Sequence, residues 1–332
     1  MANEVVINIK GDSASAEGAL KSLQQHAQNA GSAVAAALGV AAVAATAALA
    51  VGLGAAVTAA ADFQKTMSGV SAVSGASAAE MDQLSKLALQ LGKDTSFSAS
   101  EAAKGLEELV KGGVSVGDIM GGAALASLNL AAAGEIDLAS AAEIAANAMN
   151  MFGLKGSDMA MVSDQIAGAA NASSLSVMDF KFSLAAVGAV AALAGQDFQS
   201  TATAIALMGA AGIKGSDAGT SLKAMLMSLQ PQTTKAAAAF RELGITTADG
   251  ANAFFTEAGA AKGMGEIAGV LQAAMAGLTE QQKMAKLEIM FGSDAIRAAA
   301  IMAKAGSEGF DEMAGSMNKV TAAAVAAERL NN

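Results

Sequence analysis

The sequence predicts an all-α fold, an alanine-rich assembly of many short, capped helices. The chain of 332 residues is 53% hydrophobic but only 3% aromatic, and it contains a single proline. A chain poor in β-branched and aromatic residues disfavours sheets, and alanine is the strongest helix former. Helix-start signals also recur along the chain. Because alanine buries little area, it favours close helix contact over a large globular core.

Residues 1–31 are predicted to form an N-terminal arm followed by a polar helix. The opening run EVVINIKGD has β character and predicts a short strand over about residues 4–10. No cleavable signal pattern accompanies it. His26, the only histidine, lies in the polar helix without partner residues for catalysis, so we expect a solvated surface side chain.

Residues 32–61 are predicted to form a long apolar helix of Ala, Gly and Val. No charged residue occurs from Ala27 to Ala61, a length that exceeds the ~20 residues needed to cross a bilayer. One interpretation is a membrane-active helix whose small residues allow tight packing. The other is a helix buried in an oligomeric bundle. The sequence leaves both open.

Residues 62–317 are predicted to form one unit of about ten short helices, and residues 318–332 the start of a further helix that the sequence cuts short. Serine or threonine followed three residues later by Glu or Gln is typical of a capping box. This pattern occurs at Ser77–Glu80, Ser98–Glu101, Ser140–Glu143 and Thr279–Gln282. Glycines after apolar runs predict helix ends. They are Gly92, Gly153, Gly195, Gly212, Gly244 and Gly292.

The segment GIKGSDAGTSLKAMLMSLQP, residues 212–231, superficially resembles a phosphate-binding loop. A Walker loop requires a lysine directly after its second glycine, but Thr220 follows Gly219, and the nearby lysine precedes the loop. A helix joint explains the segment better. Gly212 would end one helix, and Ser216 or Asp217 would cap the next. The apolar face of that next helix would be Ala218, Leu222, Met225, Leu226 and Leu229, ending before Pro231. We therefore expect no nucleotide binding.

The remaining polar residues predict no catalytic, cofactor-binding or metal site. With no cysteine and one histidine, the usual zinc ligand sets are excluded. Adjacent carboxylates such as Glu107–Glu108 and Asp311–Glu312 diverge on a helix and are expected to be solvated. The net charge of −10 disfavours binding to nucleic-acid phosphates, so DNA would pass without sticking.

Pairs of methionines fall near predicted helix seams. The pairs are Met149 and Met151, Met225 and Met227, and Met284 and Met290. Methionine fills irregular gaps in cores and also serves adaptable binding surfaces. Core packing is the default expectation, and a groove for a partner stays open.

Four segments together carry a more specific signal. They are ADFQKTMSGVSAVSGASAAEMDQLSKLALQLGKDTSFSASEAAKGLEELVKGG, EIDLASAAEIAANAMNMFGL, the joint GIKGSDAGTSLKAMLMSLQP, and LEIMFGSDAIRAAAIM. In this order they resemble the core of phage tail tape measure proteins, over about residues 62–318.

The resemblance implies a non-enzymatic structural scaffold for tail-tube assembly and tail length, released during genome ejection. It implies self-association as a trimer or hexamer, with the tail tube protein, tail assembly chaperones and tail tip or baseplate hub proteins as partners. It implies assembly in the host cytoplasm and a place inside the tail tube of the virion. The alternative is a membrane-inserting or pore-forming protein that acts on the host inner membrane through residues 32–61 during DNA delivery. Family members are usually longer, so this chain is a fragment of a longer protein, a short natural form or one processed piece, and the sequence leaves these alternatives open.

Overall fold

The computed structural model of the protein describes the backbone of residues 42–330 and the side chains of residues 58–329. The described chain is built of helices, which confirms the all-α prediction. The predicted N-terminal strand, His26 and the first ten residues of the apolar segment lie outside the described residues. Over residues 42–330 the only β pairs are isolated bridges, Thr246 with Asn252 and Phe255 with Ala261.

Thirteen helices of eight or more residues follow one another along the described chain. They are α1 Ala42–Ser74, α2 Ala78–Asp94, α3 Ala99–Lys111, α4 Ala124–Gly134, α5 Leu138–Phe152, α6 Met159–Ala172, α7 Val177–Leu193, α8 Phe198–Ala210, α9 Gly215–Met227, α10 Thr234–Glu242, α11 Met264–Ala274, α12 Glu280–Met317 and α13 Ala322–Leu330. A π-helical turn at Ile119–Ala123 leads into α4, and a 3₁₀ turn at Gly156–Asp158 leads into α6.

The chain divides after Asp62 into an N-terminal unit and a compact unit that begins at Phe63. Of the N-terminal unit, the structure describes the backbone of residues 42–62, which is helical. In the compact unit, α3 packs on α5, α7 on α9, and α11 and α9 on α12. The C-terminal helix α13 packs on α4 and α6, and the backbone N–H of Ala322 donates to Asp164.

The predicted capping boxes follow the sequence closely, with one correction. The boxes at Ser77, Ser98 and Thr279 are present, each with reciprocal bonds between the cap and the residue three positions on. The predicted box at Ser140 is wrong because Asp137 caps α5, and its carboxylate accepts from the backbone N–H of Ser140 at 2.8 Å. Ser140 is thus the third residue inside the helix.

Most of the glycine stops are confirmed. Gly153, Gly195, Gly212 and Gly244 all have positive φ just after a helix. Gly92 was predicted wrongly, because it lies inside α2. A Cβ there would overlap the backbone of Ala99, so this glycine permits close approach of α3. Gly292 does break the helix, but helical backbone resumes at once within α12.

Candidate functional site

The structure folds the third and fourth sequence motifs into one joint, in which α9 is held between α7 and α12. Helix α8 ends at Ala210, and Gly212 reverses the chain with a φ of 86°. Helix α9 begins at Gly215, so the predicted helix joint is confirmed. The predicted caps Ser216 and Asp217 are wrong, because Lys214 is the cap residue and its side chain makes no capping bond.

Helices α7 and α9 run parallel and touch closely. Gly215 lies beside Phe182 and Gly219 beside Ala186, which is the same four-residue step along both helices. A Cβ on Gly219 would lie 2.7 Å from the Cβ of Ala186 and would overlap the carbonyl oxygen of Ser183. Only glycine allows this crossing. The second glycine of the loop-like motif therefore serves helix packing.

Polar side chains at the start of the joint donate hydrogen bonds to nearby backbone carbonyls. The Ser183 hydroxyl donates to the carbonyl of Gly215 at 2.8 Å. The Lys214 ammonium donates to the carbonyl of Ser174, whose hydroxyl in turn donates to the carbonyl of Gly209 at 2.8 Å. Lys214 thus ties the joint to the loop before α7.

Ser221 connects the joint to α12. Its hydroxyl donates to the carbonyl of Asp294 at 2.7 Å and accepts from the backbone N–H of Ala298 at 3.1 Å. In an uninterrupted helix these two backbone groups bond to each other. The serine is therefore inserted into the first turn after Gly292. An exposed ion pair between Arg297 and Asp217, 3.7 Å apart, lies at the same contact.

The apolar face predicted for α9 is buried in full. Ala218, Leu222, Met225, Leu226 and Leu229 are each at most 6% exposed. The methionine pairs divide between core and surface. Met149, Met225 and Met290 are buried, whereas Met227 and Met284 are 61% and 67% exposed. Core packing therefore holds for the buried methionines, and a groove for a partner stays a prediction for the exposed ones.

An apolar surface accompanies the joint on the outer side of α7. Helix α7 is apolar nearly all round, and Phe182, Ala185, Ala189 and Leu193 follow helical spacing along its exposed side. Leu193 is 88% exposed and Phe182 49% exposed. Exposed apolar patches of this kind mark interaction sites. We call these four residues, with Met227 at the end of α9, the α7 surface.

Two of the four carboxylates noted in the sequence form ion pairs within their own helix. Glu107 and Glu108 both contact the Lys111 ammonium, at 2.9 and 3.0 Å. These two bonds raise the pKa of Lys111. Asp311 and Glu312 are exposed. Among the described residues, no group of three or more His, Cys, Asp or Glu side chains is placed to hold a metal ion.

Hydrogen bonds from capping residues lower the pKa of several carboxyl groups. The backbone N–H and hydroxyl of Ser98 lower the pKa of Glu101. The hydroxyl and backbone N–H of Ser140 lower that of Asp137, and the backbone N–H of Ser176 lowers that of Asp179. Each of these pKa shifts arises at the start of a helix, so these carboxyl groups have a structural role.

Residues 85–292, which contain most of this joint, match the family of phage-related minor tail proteins. The chain belongs to this family. It is 33% identical over 252 residues to the tape measure protein of Pneumococcus phage Dp-1, a match that covers 76% of the chain and 21% of that relative. It is 30% identical over 266 residues to the probable tape measure protein of Escherichia phage P2, covering 79% of the chain and 31% of that relative.

The minor tail protein described here thus spans about a fifth to a third of the length of these two relatives. No solved structure matches the chain significantly. The resemblance drawn from the four sequence motifs is confirmed at the level of the family. The contacts of Ser221 are what sequence reasoning missed. The motif itself was visible, but its partner helix lies about 75 residues further along the chain.

One helical stretch of the described chain is long and apolar enough to cross a membrane, and a bent helix pair would be a second if it formed one span. Val116–Gly134 passes by length and hydropathy, but half of it is buried inside the fold. The other is Gly156–Ala172 with Val177–Leu193, a pair bent by 114°. Partly buried core helices pass the same test. In the segment of residues 32–61, side chains are described only from residue 58 onward.

Proposed function

We propose that this chain is a folded part of a phage tail tape measure protein, a scaffold for tail-tube assembly and tail length that is released during genome ejection. The single observation that carries the proposal is the family match over residues 85–292, together with relatives named as tape measure proteins. The geometry supports it, because the motif residues Gly219 and Ser221 are used in packing between helices.

The protein acts by assembly, and an enzymatic activity is not part of the proposal. Its glycine and serine motifs make a joint, and the lowered pKa values of Glu101, Asp137 and Asp179 arise at helix starts. The net charge of −10 lets DNA pass the protein without specific binding.

The α7 surface is the best supported place for contact with other tail components. Its five residues carry no charge, and two of them, Leu193 and Met227, are more than half exposed. Contacts of this chemistry suit other copies of the chain in a trimer or hexamer, the tail tube protein, tail assembly chaperones, or tail tip and baseplate hub proteins. The protein would lie inside the tail tube of the virion after assembly in the host cytoplasm.

The membrane-inserting alternative is less well supported. The relatives carry the names of tape measure proteins, and the spanning-length stretch Val116–Gly134 is half buried in the fold. Flotation of the purified chain with liposomes separates the two functions. A scaffold stays with the protein fraction, whereas a chain that floats with the lipid would support insertion during ejection.

Intact virions provide the direct test of location. Purified tails should contain peptides from residues 63–330, and those peptides should resist added protease until ejection is triggered. The tail tube protein is a control for tail recovery. Absence of the chain from tails, or cleavage of it in intact virions, would contradict a scaffold inside the tube.

A further inference from the structure

Helix α12 is one helical run that is bent at two glycines. Gly292 has φ 75° and ψ 176°, and Gly306 has φ 63° and ψ −170°. This region of backbone space is essentially restricted to glycine. Helical backbone resumes after each break, so Glu280–Met317 consists of three helical segments in direct succession.

Each segment packs against a different neighbour. The first meets α10, where Phe291 lies against Phe240 with ring centroids 6.3 Å apart, and the Lys286 ammonium reaches Glu242 at 2.5 Å. The second meets α9 through Ser221. The third meets α11, where a Cβ on Gly265 would lie 3.1 Å from the ring of Phe310.

Both bends are held from outside α12. At the first, the Ser221 hydroxyl occupies the space between the carbonyl of Asp294 and the N–H of Ala298. At the second, the side chain of Gln272 on α11 lies where a Cβ of residue 306 would stand. Residues of α9 and α11 therefore contact α12 at its two bends.

The buried positions of α12 nevertheless keep one helical period across both breaks. Steps of three or four residues join eight of the eleven buried positions, with the half-buried Met313 filling the last gap, and Met290, Ala299 and Ala303 lie beside this row. The eight are Leu287, Phe291, Ala295, Ala298, Met302, Gly306, Phe310 and Met317. A helix with this spacing has a single apolar stripe. A row of apolar positions therefore continues along the sequence through both bends of the folded segment.

We propose that α12 is a two-state element: bent when α9 and α11 pack against it, and a continuous straight helix when they separate from it. This goes beyond the proposed scaffold function, because a protein without such a change could serve as a scaffold equally well. No proline lies between residues 280 and 317, since the only proline of the chain is Pro231. A straight α12 of 38 residues would extend over about 57 Å.

Distance measurement between spin labels tests this proposal in the full chain. The protein contains no cysteine, so Ala285→Cys and Glu312→Cys introduce two unique, exposed labelling sites. In the straight helix their backbones are about 40 Å apart, from about 1.5 Å per residue. The bent form holds them closer, because the chain turns twice between them.

Gly292→Ala together with Gly306→Ala should move the population to about 40 Å, because alanine disfavours both bends and favours helix. Ser221→Ala removes the bridge without straining either bend, so it should raise the long-distance fraction in a chain that keeps its fold. Gly315→Ala is the matched control, because Gly315 lies in the same helix with open space around it, and it should leave the short distance unchanged.

A long-distance population in the Ser221 and glycine variants, with helix content retained, supports the two-state element. Two results overturn it. One is a distance that stays short in both variants. The other is a loss of helical circular dichroism in the double glycine variant while Ser221→Ala shows only the short distance.

Discussion

The hydroxyl of Ser221 donates a hydrogen bond of 2.7 Å to the carbonyl of Asp294 and accepts one from Ala298 in the same helical turn. The bond joins two of the four motifs by which the chain resembles its family, across a separation of 73 residues. It places residues 219–221 (GTS) of one motif against residues 292–294 (GSD) of the other. The two motifs therefore act together as a packing joint.

The close contact between α7 and α9 at Gly219 predicts that even the methyl group of alanine destabilises the fold. Gly219→Ala places a Cβ against the Ser183 carbonyl and 2.7 Å from the Ala186 Cβ. Overpacking of this kind costs about 1–3 kcal/mol in the free energy of unfolding, measurable by urea denaturation. Gly315→Ala is the control and should stabilise the fold slightly, by about 0.5–1 kcal/mol. Equal stability of Gly219→Ala and the wild type would contradict the packing role.

The capping box of α3 predicts a smaller, local effect. Ser98→Ala removes the acceptor for the backbone N–H of Glu101 and should cost about 1 kcal/mol of unfolding free energy. Ser100→Ala is the control, because it lies in the same first turn without a capping role. Chemical denaturation followed by circular dichroism measures both. If the two variants lose the same stability, the cap is not the cause.

The lowered pKa of Glu101 predicts how that stability depends on pH. Because the folded state lowers this pKa from its ordinary value of 4.5, the folded carboxylate binds protons more weakly than the unfolded one. The stabilisation is fully present above about pH 4.5 and is lost as the pH falls through the lowered value.

Comparison of the wild type with Glu101→Gln isolates this contribution. The wild type should be the more stable protein at about pH 7, and the difference should shrink as the pH approaches about 3. Urea midpoints across this range measure the difference. A gap that stays constant, or widens on acidification, would show that the carboxylate charge does not contribute.

The α7 surface predicts association through Leu193. Leu193→Glu puts a charge on the most exposed large apolar side chain of the described residues, in a chain that already carries a net charge of −10. Sedimentation of the full chain should show weaker self-association or weaker binding to the tail tube protein. Gln199→Glu adds the same charge at a nearby exposed position and should change neither. Identical effects of both variants would indicate that the added net charge, and not the α7 surface, weakens association. The prediction is wrong if Leu193→Glu leaves both measurements unchanged.

Local sequence signals predicted the helices well, because helix caps are local. Ser77 and Ser98 bond to groups three residues away, and a short pattern captures that. Ser140 was misassigned because Asp137, an equally good cap, lies three residues before it. The pattern of residue types alone does not say which of the two starts the helix.

Glycines were harder to interpret because they have two different uses. Gly153 ends a helix with positive φ, whereas Gly92 has no side chain so that α3 can approach. Both follow an apolar run, so the sequence around them looks alike. The bond between Ser221 and Asp294 depends on the tertiary arrangement of two distant helices, and no local pattern carries that information.

Tail length in a phage that lacks α3 tests the central claim most directly. Helix α3 packs on α2 and α5, and its deletion from Ser98 to Lys111 removes an element of the folded unit. If this part of the chain acts as a folded scaffold, electron microscopy should show particles without tails. Intact tails about 20 Å shorter, at about 1.5 Å per deleted residue, would contradict the account, because the segment would then act as an extended helix and not as a packed element of a folded scaffold.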